Sequence, residues 1–128
     1  MPLVCPDCGA HAQTITDRME IPSDDRYDEL AIQVLTCEDC KLSAIGAYKE
    51  SRRGALDSEC VDHEGYHARP EVIDRVRSLI RSCPKPGDAS CDCDAHRVLG
   101  RTIGGRWGVL SVLDVPFLGS FPIQYCDK

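Results

Sequence analysis

CPDCG, residues 5 to 9, and CEDC, residues 37 to 40, decide how this chain is read, because each puts two thiols at the ends of a tight turn. Two CxxC turns can present four sulfurs to a single point, the closed tetrahedral set that zinc favours. They predict a structural metal site at Cys5, Cys8, Cys37 and Cys40. A pair of thioredoxin-like redox motifs is the competing reading, and it is weaker, since neither turn stands between a strand and a long amphipathic helix.

Working outward, QTITDRMEI (13 to 21) and LAIQVLT (30 to 36) alternate as strands around the polar loop PSDDRYDE, and LSAIGAY (42 to 48) follows as a third. Two thiol turns and three antiparallel strands are the layout of a zinc ribbon. Pro6 and Gly9 suit the first turn, where the backbone bends sharply so that amides can face sulfur. The second has Lys41 where a Gly is frequent. The runs CPDCG, MEIP and DELAIQVLTCEDC resemble the ribbon of the ZPR-type zinc-finger proteins, which bind a translation elongation factor in eukaryotes. That resemblance covers residues 3 to 48; it implies the ribbon fold, the ligands Cys5, Cys8, Cys37 and Cys40, and a protein partner. Residues 50 to 128 have the look of a bacterial or archaeal zinc-ribbon protein, a likeness that implies no function.

Composition agrees with a fold that leans on metal. Of 128 residues 42% are hydrophobic and only 5% aromatic, so the core must rest on Val, Ile, Leu and Ala. Nine Cys far exceed ordinary usage and suggest that a thin core is stapled. MPLVCPDCGA lacks the basic and apolar runs of a secretory signal, and no stretch is long enough to span a bilayer, which predicts a cytoplasmic chain without a membrane partner. In a reducing compartment, closely spaced Cys are metal ligands before they are disulfides.

The formal charge is −6, and it is uneven: residues 1 to 40 carry nine acids against Arg18 and Arg26. Four thiolates around one zinc make this region more acidic still. Phosphate neutralisation drives non-specific nucleic-acid binding, so that class of partner is disfavoured.

PEVIDRVRSLIRS, 70 to 82, is a helix by its spacing: Val72, Ile73, Val76, Leu79 and Ile80 share a face, Pro70 suits the first turn and Pro84 ends it. Asp74, Arg75, Arg77, Ser78 and Arg81 form the opposite, solvated face. The helix runs straight into Cys83, Cys91, Cys93 and His96, separated by a Pro/Gly loop. Three thiols and an imidazole within fourteen residues predict a second zinc knuckle of the Cys3His type, closed and therefore structural.

Cys60 and Cys126 are left over; Cys60 can pack as a small apolar residue, react as a thiol or join the second site through Cys60-x-x-His63. WGVLSVL and FPIQY read as short strands, and GGRWG (104 to 108) as a glycine-rich turn that lacks the phosphate-loop pattern. Arg52 and Arg53 lie in a polar loop; with Arg77 and Arg81 they are the residues a nucleic-acid-binding reading would use.

DHEGYH, 62 to 67, contains the His-Glu-x-x-His string of zinc peptidases, with His63 and His67 as ligands and Glu64 as general base. Such a site needs a stable helix and a third downstream ligand. Gly65 costs about 1 kcal/mol in a helix interior, Pro70 follows closely, and no downstream His stands at the required distance. The segment is therefore expected to be a loop, and the hydrolase reading is secondary.

Together these observations predict a small α+β fold: a three-stranded antiparallel zinc ribbon over residues 1–50, then a helix and short strands over 51–128, held by a second knuckle. Two structural zinc ions, no catalytic residues and a protein partner describe a metal-stabilised adaptor.

Overall fold

In the computed structural model, residues 5, 7–23, 29–51, 60–108 and 120–122 are described; Arg52, Arg53 and Cys126, most of WGVLSVL and the end of FPIQY lie outside them. Chain order is β1 (Gln13–Ile21), β2 (Glu29–Cys37), β3 (Ser43–Ser51), β4 (Cys60–Tyr66), α1 (Pro70–Ser82), α2 (Asp94–Leu99), β5 (Thr102–Ile103), β6 (Arg106–Trp107) and β7 (Ser120–Pro122). The fold is the expected small α+β type, and the ribbon's three strands are the first three of a five-stranded antiparallel sheet ordered β1-β2-β3-β4-β7.

Alternation explains how the sheet meets α1. Leu30, Ile32 and Val34 of β2, Ile45 and Ala47 of β3, and Met19 and Ile21 of β1 share a core with Ile73, Val76 and Ile80 of α1. Apart from Ala47, each such side chain taken out of water contributes about 1.5–3 kcal/mol. β2 is buried on both faces, since Ala31, Gln33 and Leu35 on its other side are also inaccessible. On that side Phe121 packs with Leu35 and Ala44.

β1 carries a bulge between Ile15 and Asp17. Side chains alternate strictly along a strand, so the extra residue, Thr16, moves Asp17 onto the face covered by α1. There Asp17 accepts from Arg81 Nε at 2.8 Å and Arg77 Nε at 3.3 Å, across 64 and 60 residues of chain. The arginine face of α1 is thus not wholly solvated: two of its members pin the helix to the sheet.

α1 spans the predicted residues, with Pro70 in its first turn and the Cys83 amide closing its end on Ile80 O at 3.2 Å. Two elements longer than a pair of residues were not foreseen. Residues 60–66 form β4 and not a loop, because register pairs such as Tyr48 with His63 and Gly46 with Gly65 continue the antiparallel ladder of β3. Six residues after Cys93 form α2, whose last carbonyls receive the Gly100 amide and Trp107 Nε1, the latter on Leu99 O at 2.7 Å. The turn between β5 and β6 uses Gly104 and Gly105, both at positive φ (62° and 81°), the mirror-image turn that glycine adopts without strain. Among the described residues no helix is long and apolar enough to cross a membrane.

Candidate metal centres

The two thiol turns of the ribbon have the same backbone geometry. Gly9 N–H donates to Cys5 O at 2.9 Å and Lys41 N–H to Cys37 O at 3.0 Å; in return Cys5 N–H reaches Ala10 O at 2.9 Å and Cys37 N–H reaches Leu42 O at 2.8 Å. Each turn therefore has a residue at positive φ just after its second Cys: Gly9 at 75° and Lys41 at 67°. Lys41 adopts the conformation for which glycine is the usual choice. Glu38 N–H on Ala12 O, 2.8 Å, ties the second turn to the chain leaving the first.

This symmetry brings Cys5, Cys8, Cys37 and Cys40 together, with all four sulfurs within 4.8 Å of one another. Cys5 lies 3.6 Å from Cys40 and Cys8 3.7 Å from Cys37. A tetrahedron of sulfurs at about 2.3 Å from its centre has edges of roughly 3.8 Å, so these separations are compatible with four ligands of one metal. One sulfur of each turn is buried, Cys5 and Cys37, and one exposed, Cys8 and Cys40. The Cys40 amide points at Cys37 Sγ from 3.5 Å and is the main reason its thiol is lowered to about 7, which readies it as a thiolate.

The second centre is assembled from three places. α1 ends on Cys83; the Pro/Gly loop delivers Cys91; and Cys93 caps α2, with His96 one turn in. Their ligand atoms also lie within 4.8 Å of one another. Cys83 Sγ stands 3.7 Å from Cys91 Sγ and 3.3 Å from His96 Nδ1, and Cys93 Sγ stands 3.4 Å from the same nitrogen. Sulfur-to-nitrogen edges of a mixed tetrahedron are roughly 3.6 Å, given metal bonds of about 2.3 and 2.0–2.1 Å.

Backbone amides support this set as well. Lys85 N–H faces Cys83 Sγ at 3.4 Å, and His96 N–H faces Cys93 Sγ at 3.4 Å. Burial pushes the Cys83 thiol up to about 11. His96 is buried, and its Nε2 donates to the carbonyl oxygen of Glu20 at 3.0 Å. A donor role for Nε2 leaves the lone pair on Nδ1, the nitrogen that faces the three sulfurs. Both donor sets therefore fit a tetrahedral metal.

The His-Glu-x-x-His string is placed otherwise. β4 puts His63 in the sheet, where its Nε2 lies 2.8 Å from Gln33 Oε1 and its ring meets Tyr48 edge-on. Burial, assisted by Arg18, lowers this imidazole to about 4. Glu64 accepts from Tyr66 OH at 2.7 Å, and the His67 ring lies against Phe121. The helical turn on which such a string holds metal is not formed. Of the nucleic-acid candidates, Arg77 and Arg81 are engaged by Asp17.

Sequence reasoning missed the buried amides. Gln13, opposite Cys37 on the ladder, and Gln33 are inaccessible, and Gln13 Nε2 and Oε1 and Gln33 Nε2 have no hydrogen-bond partner among the described residues. The sole available signal was a polar residue in each strand's apolar alternation.

Compared with known proteins, the chain matches no family model, no curated protein and no solved structure.

Proposed function

We propose that this chain is a non-enzymatic, zinc-stabilised adaptor that binds another protein. One zinc would be held by Cys5, Cys8, Cys37 and Cys40, the other by Cys83, Cys91, Cys93 and His96. The observation that carries the reading is that each centre is a complete set of four soft donors at tetrahedral spacing. A fully ligated zinc leaves no position for water or substrate; it contributes folding free energy and no chemistry. Thiolate and imidazole donors favour zinc over the oxygen-seeking calcium and magnesium. Against a hydrolase, His63 and Glu64 of the peptidase-like string lie in β4 and not on a helical turn.

Metal analysis of the purified chain tests the first half: two zinc ions per chain, one lost with Cys37→Ser, one with Cys93→Ser, none with His63→Ala. Loss of zinc on His63→Ala would instead favour the hydrolase. For the second half, the tagged chain recovered from its native cell should carry a stoichiometric protein partner that dissociates on chelation. Recovery of the chain alone, or of nucleic acid released by salt, would count against an adaptor.

A further inference from the structure

The four ligands of the second centre are not held alike. Cys83 is buried, fixed by its amide on Ile80 O (3.2 Å), and its sulfur accepts from Lys85 N–H. Cys93 is the cap of α2 and its sulfur accepts from His96 N–H. His96 is buried and anchored on Glu20 O. Cys91 differs at its sulfur: its own amide is held on Asp88 O at 3.0 Å, but it is half-buried, follows the exposed Asp88–Ser90 turn, and no amide of the described residues faces its sulfur, whose neighbour is Cys83 Sγ at 3.7 Å. It also lines an open groove of about 660 Å³ together with Pro22, Ser23, Ala89, Ser90 and Asp92.

We propose that Cys91 is the exchangeable ligand of the second centre, and that an external thiol entering along this groove takes its place on the metal. The inference rests on the two-centre reading above. A bound thiolate without N–H···S hydrogen bonds keeps more negative charge and is less fixed in position, so it is the sulfur that takes up the incoming proton and leaves. Asp92 at the groove disfavours an incoming carboxylate, whereas a thiol arrives neutral. The exchange balances without a redox step: the incoming S–H gives its proton to the departing Cys91 sulfur, one metal–sulfur bond breaks and one forms, and the charge of the centre is unchanged. The thiol is either a small free one or a cysteine of a partner protein.

Cobalt(II) loaded into the full chain reports each sulfur ligand through its near-ultraviolet charge-transfer band. Cys91→Ala is expected to retain two cobalt ions per chain with a weakened band, restored by an external thiol; Cys83→Ala and Cys93→Ala are expected to retain one. Two probes separate the sources: 2-mercaptoethanol, and an unstructured ten-residue peptide with one central Cys. Restoration at tenfold lower peptide concentration assigns a protein cysteine; the converse assigns a free thiol. A Cys91→Ala chain that holds one cobalt, or responds to neither probe, overturns the proposal. In the wild-type zinc form, iodoacetamide should label Cys91 at least tenfold faster than Cys83 or Cys93; equal labelling also overturns it. Wild-type chain that binds a single cobalt would instead overturn the two-centre reading itself.

Discussion

His96 Nε2 lies 3.0 Å from the carbonyl oxygen of Glu20, and the amide of the same Glu20 donates to Pro86 O at 2.8 Å. Both backbone polar groups of one residue on the edge strand β1 are thereby taken by the segment that carries the second centre. The loop that carries the second Cys/His cluster and the outer edge of the sheet are one structure. Covering an edge in this way also removes a template for unwanted strand pairing.

His96→Ala is accordingly expected to do more than remove one ligand. The chain should fall from two metal ions to one, and the Glu20 amide should exchange with solvent at least tenfold faster by hydrogen-exchange mass spectrometry or NMR, while amides in the centre of β2 are unchanged. Retention of slow exchange at Glu20 would show that the clasp does not depend on the centre.

Asp17 is 5% exposed in its side chain, against 62% for Arg81 and 25% for Arg77. Although burial opposes its charge, hydrogen bonds from Arg81, Thr16 and Arg77 outweigh this and hold its carboxyl below the usual range. When the acid is removed Arg81 is exposed enough to turn to water, and when Arg81 is removed the buried carboxylate keeps Arg77 and Thr16, so Asp17→Ala and Arg81→Ala should each cost about 1–2 kcal/mol in urea unfolding. Since the folded pKa is depressed, the contribution is complete above the unfolded value near 3.8 and fades as pH falls through the lower, folded one.

Lys41 at φ 67° occupies the left-handed region that costs a residue with a Cβ roughly 1 kcal/mol. Lys41→Gly should stabilise the metal-loaded chain by a few tenths up to about 1 kcal/mol, the gain being offset by the entropy glycine brings to the unfolded state. Lys41→Val should be destabilising. Thermal denaturation of the three proteins, each with its metal content measured, checks the order.

What the sequence made legible follows from range. The thiol turns, the alternation of β1 to β3 and the period of α1 between Pro70 and Pro84 are local patterns, and each was placed from neighbours a few residues apart. Three features were beyond such reading. β4 was missed because Glu64 and Gly65 are poor strand formers, and the groups that cover His63 and Gly65, Gln33 and Phe121, lie far along the chain. α2 is too short to show a period and its cap is a Cys. The partner that sets the tautomer of His96 lies 76 residues away, on a backbone atom that no side-chain pattern encodes.

His63 supplies a pH dependence of the opposite cause to Asp17. Burial lowers it from 6.5 to about 4, so the unfolded chain binds the extra proton between those values and the folded chain does not. Stability is complete above pH 6.5 and declines as pH falls towards 4, by about 2 kcal/mol between pH 7 and 5. NMR should show the His63 imidazole neutral at pH 5. Removal of the titrating group in His63→Gln should flatten the decline in urea midpoints by that amount, with metal content verified at both pH values.

Gly65, the residue that most opposed a helix in HEGYH, has a positive role in the strand. A Cβ built there would stand 2.3 Å from Phe121 Cζ and 2.4 Å from Cε2, because β7 lays this ring across the glycine. Gly65 and Phe121 are also register partners, so the ring cannot move away without lifting its own strand. Overpacking of this kind costs about 1–3 kcal/mol. Gly65→Ala should therefore destabilise by that amount although alanine is ordinarily preferred to glycine in a strand interior. Phe121→Leu alone loses apolar burial beside Leu35 and Ala44, about 1 kcal/mol. If the ring is what Gly65 accommodates, the double variant Gly65→Ala/Phe121→Leu should be less destabilised than the sum of the single changes, by at least 1 kcal/mol in a double-mutant cycle. Simple additivity would show that Gly65 is required by the backbone of β4 and not by the ring above it.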